Sequence, residues 1–287
     1  MIMFPKSIPR CQNGFSIMRP IFSLIVNCLA GVCWITACSS VLAQGLIHSL
    51  PEDGVSVEYE GTIVQRHGDQ DTEPLTWTSE LSIKSVGQEQ AEYNGVSQAC
   101  RWIEIKVITG TSTAAGLDPG PAGARIYKVL VPESKVSGDA VDPDTIPNQM
   151  LPIVKGYRRD GEGEVQEIQS KSLVYYPMIC RLRNYDSPEV ISESDVPEVL
   201  ASDVNVTARR LKGKMVMERQ ESRSTNEGEY WVSADVPFGL ARWIVIDTRE
   251  EKTATEPRSQ FRSVAVVQVD MKLRRIRENV ESELVTP

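Results

Sequence analysis

The sequence predicts a mainly β protein: a single domain built on a curved antiparallel sheet, a half-barrel or sandwich, with few short helices. Three observations carry that expectation. Apolar side chains recur at every second position through about nine to twelve short segments, the period of a pleated strand with one buried face. Gly, Pro, Asn and Asp cluster between those segments at short intervals, as antiparallel connections require. No segment beyond residue 43 keeps an apolar helical stripe for three turns, and no fixed repeat of the solenoid or propeller kind is present.

The clearest element is Tyr230–Thr248, YWVSADVPFGLARWIVIDT, which reads as strand, tight turn and strand, with Pro237 and Gly239 as punctuation. After the turn Leu240, Arg242, Ile244 and Ile246 share one face, and Ala241, Trp243, Val245 and Asp247 the other. Bulky groups on both faces place this hairpin inside a sheet.

Taken in order, Pro51–Gly54 is a turn, and Val55, Val57 and Tyr59 alternate with polar residues as a half-buried strand. Leu75, Trp77, Ser79, Leu81 and Ile83 share one face of the next strand, and Tyr93-Asn94-Gly95 turns the chain back into CRWIEIKVI, Cys100–Ile108. Gly110–Gly123 reads as a long Gly/Pro/Ala loop and Ala124–Val131 as strand. Ser134–Pro152 is polar and proline-punctuated. Leu173–Cys180 is an apolar run that Pro177 keeps off a central ladder position. Asp186–Asp203 reads as a short helix or a linker. Val204, Val206 and Ala208 lead into the basic cluster Arg209–Lys214, and Val264–Leu273 is the last strand, followed by a charged, frayed tail.

Ile21–Ala37 is an apolar run just after Met18-Arg19, the layout of a secretory signal peptide whose start could be Met18. The run approaches bilayer-spanning length, but its small-residue exit favours cleavage over a retained anchor. Val41-Leu42-Ala43 before Gln44 fits a signal-peptidase site. Ile35-Thr36-Ala37-Cys38 resembles a bacterial lipobox, in which Cys38 would be the lipid anchor. The expected organisation is a signal peptide over 1–43, a β-rich exported domain over 44–274 and a charged tail over 275–287. Such a protein belongs in the periplasm or at the cell surface, touching the membrane only through its leader or a lipid on Cys38.

The chain carries 31 basic and 39 acidic residues, a formal charge of −8. Residues 1–43 contribute Lys6, Arg10 and Arg19 and no acid, so the remainder carries −11. That balance opposes nucleic acid, which needs a basic footprint. The two histidines, His48 and His67, leave little for general-base catalysis, and no HExxH, GxSxG or P-loop motif is present. No cofactor is indicated. Asp142 and Asp144 lack EF-hand spacing, so they read as an acidic turn.

Cys11, Cys28, Cys33 and Cys38 lie in the leader region, which leaves Cys100 and Cys180 to the domain. In an oxidising compartment they could form one disulfide, closing a loop of about eighty residues worth roughly 4 kcal/mol in the chain-entropy model. The alternative is two separately buried thiols.

The letters Trp231-Val232 and Pro237-Phe238-Gly239-Leu240, with the strand beyond them, are similar to paired strands of LolA-like envelope proteins. The resemblance implies a half-barrel whose apolar concave face holds a lipid or acyl chain. Trp77, Trp102, Trp231 and Trp243, with Tyr127, are the candidates to line such a pocket. The functional expectation is therefore an exported, non-enzymatic β-domain of the envelope that binds a lipid or other apolar ligand. Alternatives are a structural or assembly partner of an envelope protein, and a hydrolase using the loop carboxylates Asp142, Asp144, Asp160 and Glu162.

Overall fold

The computed structural model describes residues 45–68, 72–136, 150–185 and 187–286, all within one compact unit, Ser40–Pro287. The apolar run 21–37 read as a signal, Cys38, Asp142 and Asp144 lie outside the described residues. In chain order the strands are β1 (Ser56–His67), β2 (Leu75–Tyr93), β3 (Val96–Thr113), β4 (Gly116–Asp118) and β5 (Arg125–Pro132). Helix α1 (Glu133–Val136), β6 (Leu151–Pro152), β7 (Lys155–Asp160), β8 (Gln166–Glu167), β9 (Ser172–Leu173) and helix α2 (Tyr176–Cys180) follow. The chain ends with β10 (Glu189–Asp195), β11 (Ala208–Glu218), β12 (Ser222–Val232), β13 (Leu240–Glu251) and β14 (Arg262–Arg277).

Two meanders make one antiparallel sheet of order β10-β11-β12-β13-β14-β1-β2-β3-β5-β7-β8, with β4 paired to β3. The first runs outward from β1 and the second runs inward to β14, so the earliest and latest long strands meet in the middle. The sheet does not close, and the mainly β, few-helix architecture is the one the alternation predicts. The organising hairpin is an interior pair, β12 and β13, with Trp231 opposite Arg242. Its turn holds Phe238 at φ 63° and Gly239 at φ 83°. Phe238 tolerates that left-handed backbone because its side chain is fully buried and its carbonyl accepts the His48 N–H at 2.8 Å.

The inner face of the sheet carries the core. Val57, Tyr59, Leu81, Ile83, Ile103, Ile105, Val129, Trp243 and Leu273 project there and are buried. Two segments of the same chain cover them: Leu46-Ile47, and the stretch from Leu173 through α2 to Tyr185. Tyr176 accepts the Leu46 N–H at 2.9 Å, and Tyr59 donates to the Leu240 carbonyl at 2.8 Å. Tyr185 lies against Gly213 and Gly228, which face each other across β11 and β12. A Cβ on Gly213 would sit 2.1 Å from Tyr185 Cγ, so only glycine admits the ring. The Tyr185 hydroxyl then donates to Asn226 Oδ1 at 2.6 Å, and Asn226 donates to Asp247 at 2.6 Å and to the Arg181 carbonyl at 3.0 Å.

Three local expectations differ from the fold. Gly110–Gly123 is no open loop: β3 runs on to Thr113 and turns through Ala114-Ala115 into β4. Asp186–Asp203 holds a strand, β10, paired to β11 with two register shifts; the bulges hid its alternation. The tail after Arg274 is not frayed, since β14 continues to Arg277 and Leu284 is fully buried. Of the two readings open for Cys100 and Cys180, the structure has separate buried thiols, on β3 and α2 respectively. Cys180 packs among inner-face residues, where burial pushes its thiol up to about 12.

The Tyr185 contact makes a direct prediction. Gly213→Ala should cost about 2 kcal/mol by overpacking, read as a lower urea midpoint. Combined with Tyr185→Ala, which removes the ring, it should cost measurably less than the two single losses added together.

Candidate functional site

The outer face is built differently. Along β14 the inward apolar positions run Met271, Leu273, Ile276, so the two-residue period slips by one at Arg274. The slip is a bulge in the β14–β1 pairing, where Glu58 faces Arg275 and Tyr59 faces Leu273. Two consecutive arginines are thereby delivered to the outer side, the re-aiming that bulges perform. They line a groove of about 310 Å³ together with Glu58, Glu80, Ser82, Lys84, Lys106, Arg277 and Glu283.

One register row crosses the groove: Arg275 on β14, Glu58 on β1, Ser82 on β2 and Lys106 on β3. The small side chain of Ser82 between long charged neighbours leaves the depression. Arg274 pairs with Glu80 at 2.9 Å and Glu60 at 3.3 Å, and Arg277 with Glu58 at 2.7 Å. Arg275 is exposed and forms no ion pair among the described residues.

One end of the groove is closed by residues 282–284. Glu104, on the outer side of β3, is fully buried. It accepts hydrogen bonds from Lys84 Nζ (3.1 Å), the Ser282 hydroxyl (2.7 Å) and the backbone N–H groups of Glu283 (3.1 Å) and Leu284 (3.0 Å). Lys128 donates to the Leu284 carbonyl at 3.2 Å. Burial would raise the Glu104 carboxyl, yet the hydrogen bonds from Ser282, Leu284 and Glu283, with the Lys84 charge, hold it below its ordinary 4.5. Glu283 bridges two ammonium groups, with Oε1 2.5 Å from Lys84 and Oε2 2.6 Å from Lys106. Burial opposes its ionisation as well, and the bonds from Lys106 and Lys84 again win and lower it.

The four tryptophans do not meet. Trp243 is buried on the inner face, edge-on to Tyr59 at 4.9 Å, with Nε1 donating to the Cys180 carbonyl at 3.2 Å. Trp77, opposite Ile63, is half-buried on the same face. Trp102 and Trp231 stand on the outer face, each flanked by cations. Lys128 and Lys155 lie 5.6 Å and 5.1 Å from the Trp102 ring, and Arg210 and Arg242 lie 5.1 Å and 5.2 Å from the Trp231 ring. Their indole N–H groups donate to Glu89 and Asp195. Tyr127 packs at 6.2 Å from Tyr175 on the inner side. Asp160 ends β7 opposite Arg125, and Glu162 sits exposed in the turn beyond. The groove residues were absent from the sequence expectation. Their one legible signal was the 271, 273, 276 spacing; Glu104, between Ile103 and Ile105, gave none.

No family model matches the chain, and no curated protein matches it significantly. Among solved structures it is similar to a Bacteroides fragilis protein, provisionally described as exported and assigned a YmcC-like fold. The two share 12% identity at a TM-score of 0.29, over 80% of this chain and 98% of that one.

The tail clamp carries a pH signature. The folded Glu104 pKa lies below its unfolded value, so its contribution is complete above about pH 4.5 and is lost as pH falls through the folded value. Glu104→Gln should cost about 3 kcal/mol at pH 7, because it leaves Lys84 short of a buried partner. The variant should also show a shallower stability loss below pH 4.5 in urea titrations. His48 acts in a separate window. Burial lowers it to about 4, so it stays neutral while the unfolded chain takes a proton, and stability falls between about pH 6.5 and 4 in both proteins.

Proposed function

We propose that the protein is an exported, non-enzymatic β-domain of the cell envelope, a binding module that works through the polar groove on its outer face. Export is supported by the basic start, apolar run and small-residue exit of its first 43 residues. The observation that carries the binding surface is the contrast between the faces. The inner face, where the LolA-like resemblance would put an acyl chain, is packed with Tyr59, Tyr176, Tyr185 and Trp243 of the chain itself. The outer face presents a depression around Ser82, ringed by charged groups and placed by a bulge. A ligand held there would be polar.

Assembly with a partner is a second reading, favoured by the sheet edge. Val190 and Ile191 on β10, and Val196 just after it, are exposed there on a strand whose other side has no strand partner among the described residues. A photocrosslinker at Val196 that captured an envelope protein in the native host would favour it.

A native mass spectrum of the protein taken from its own envelope fraction tests the binding reading. The expected species starts downstream of the apolar run and carries a polar adduct that Ser82→Trp abolishes. A bound acyl chain, unaffected by Ser82→Trp, would return the inner face to the role of carrier.

A further inference from the structure

We propose that the Lys84–Lys106 end of the groove is a carboxylate-binding subsite, that Glu283 is its built-in competitor, and that the ligand is a dicarboxylate whose second acid group meets Arg275. The inference rests on the reading of the groove as a binding surface and assigns the ligand class. Glu283 already shows what the subsite recognises, since each of its oxygens takes one ammonium group, at 2.5 Å and 2.6 Å. This carboxylate is separable from the anchoring of the tail. The tail is fixed by Glu104, which is fully buried and binds backbone N–H groups, and by the buried Leu284. The Glu283 side chain is 39% exposed and contributes none of those bonds.

When Glu283 swings away, Lys84 keeps Glu104, whereas Lys106 has no other ion pair among the described residues. Arg275, in the same register row as Lys106, is likewise unpaired. Two uncompensated cations then face one groove, across Glu58 and the small Ser82. A ligand with one carboxylate competes poorly with a tethered one, whose effective concentration is of order millimolar. A ligand with two carboxylates recruits Arg275 as well and can displace it.

The test is a titration of the full-length protein with glutarate, and with sulfate as control, at fixed ionic strength, followed by backbone amide shifts around Ser82. Glu283→Gln should tighten glutarate binding about tenfold, the gain from removing a tethered competitor. Arg275→Ala in that background should cancel most of the gain, and Lys106→Met should weaken binding with or without Glu283. Equal or weaker glutarate binding by Glu283→Gln would overturn the proposal, and so would a sulfate response as strong as the glutarate response. A stability loss for Glu283→Gln of no more than about 1.4 kcal/mol, the equivalent of the tenfold competition, shows that the tail stays anchored. If this variant loses stability as Glu104→Gln does, the carboxylate is part of the clamp and the competitor assignment fails. These failures touch the ligand class only. The groove reading itself fails if the adduct in the native spectrum survives Ser82→Trp.

Discussion

The pairing of β14 with β1 joins two meanders that would otherwise be separate sheets. It brings an early strand of the domain against its last long one, and the other strands of the large sheet are added outward from that seam, while β6 and β9 pair apart from it. The core depends on it, because Val57 and Tyr59 on β1 pack with Leu273 on β14 and with the hairpin residues Leu240 and Trp243. The groove depends on it too, since the bulge that presents Arg274 and Arg275 is an irregularity of this one pairing. Contacts so distant in sequence are costly in chain entropy and have to form before the two halves can share a core.

The two faces divide the labour of such a sheet. A curved sheet must fill its inner face or leave it for a ligand. Here the chain fills it with its own residues: α2 and Tyr185 lie across the strands, and glycines at 213 and 228 make room for the ring. The outer face would ordinarily be solvated, yet it buries a carboxylate at Glu104 and uses it to hold the tail. A buried carboxylate with four donors is strongly ionised and serves poorly as a proton donor. Such a group suits an anchor.

Alternation made most of the sheet readable. Val57 and Tyr59, Leu81 and Ile83, and the hairpin at Trp231–Trp243 announce strands because one face of each is apolar and the other is not. What stayed hidden was broken alternation or long-range partnership. Strand β10 is twice bulged and exposed, so its period is lost. Glu104 looks like any polar residue on a strand until Ser282 and Leu284 arrive from far along the chain. The tryptophans looked like a pocket because composition cannot say which face a residue occupies; register divides them two and two.

The most direct test of a filled inner face is a titration of the purified protein with a fluorescent fatty acid such as cis-parinaric acid. No saturable enhancement is expected, because Tyr176, Tyr185 and Trp243 already occupy the space an acyl chain would need. Saturable one-to-one binding, competed away by unlabelled fatty acid, would contradict it and identify the inner face as a carrier site.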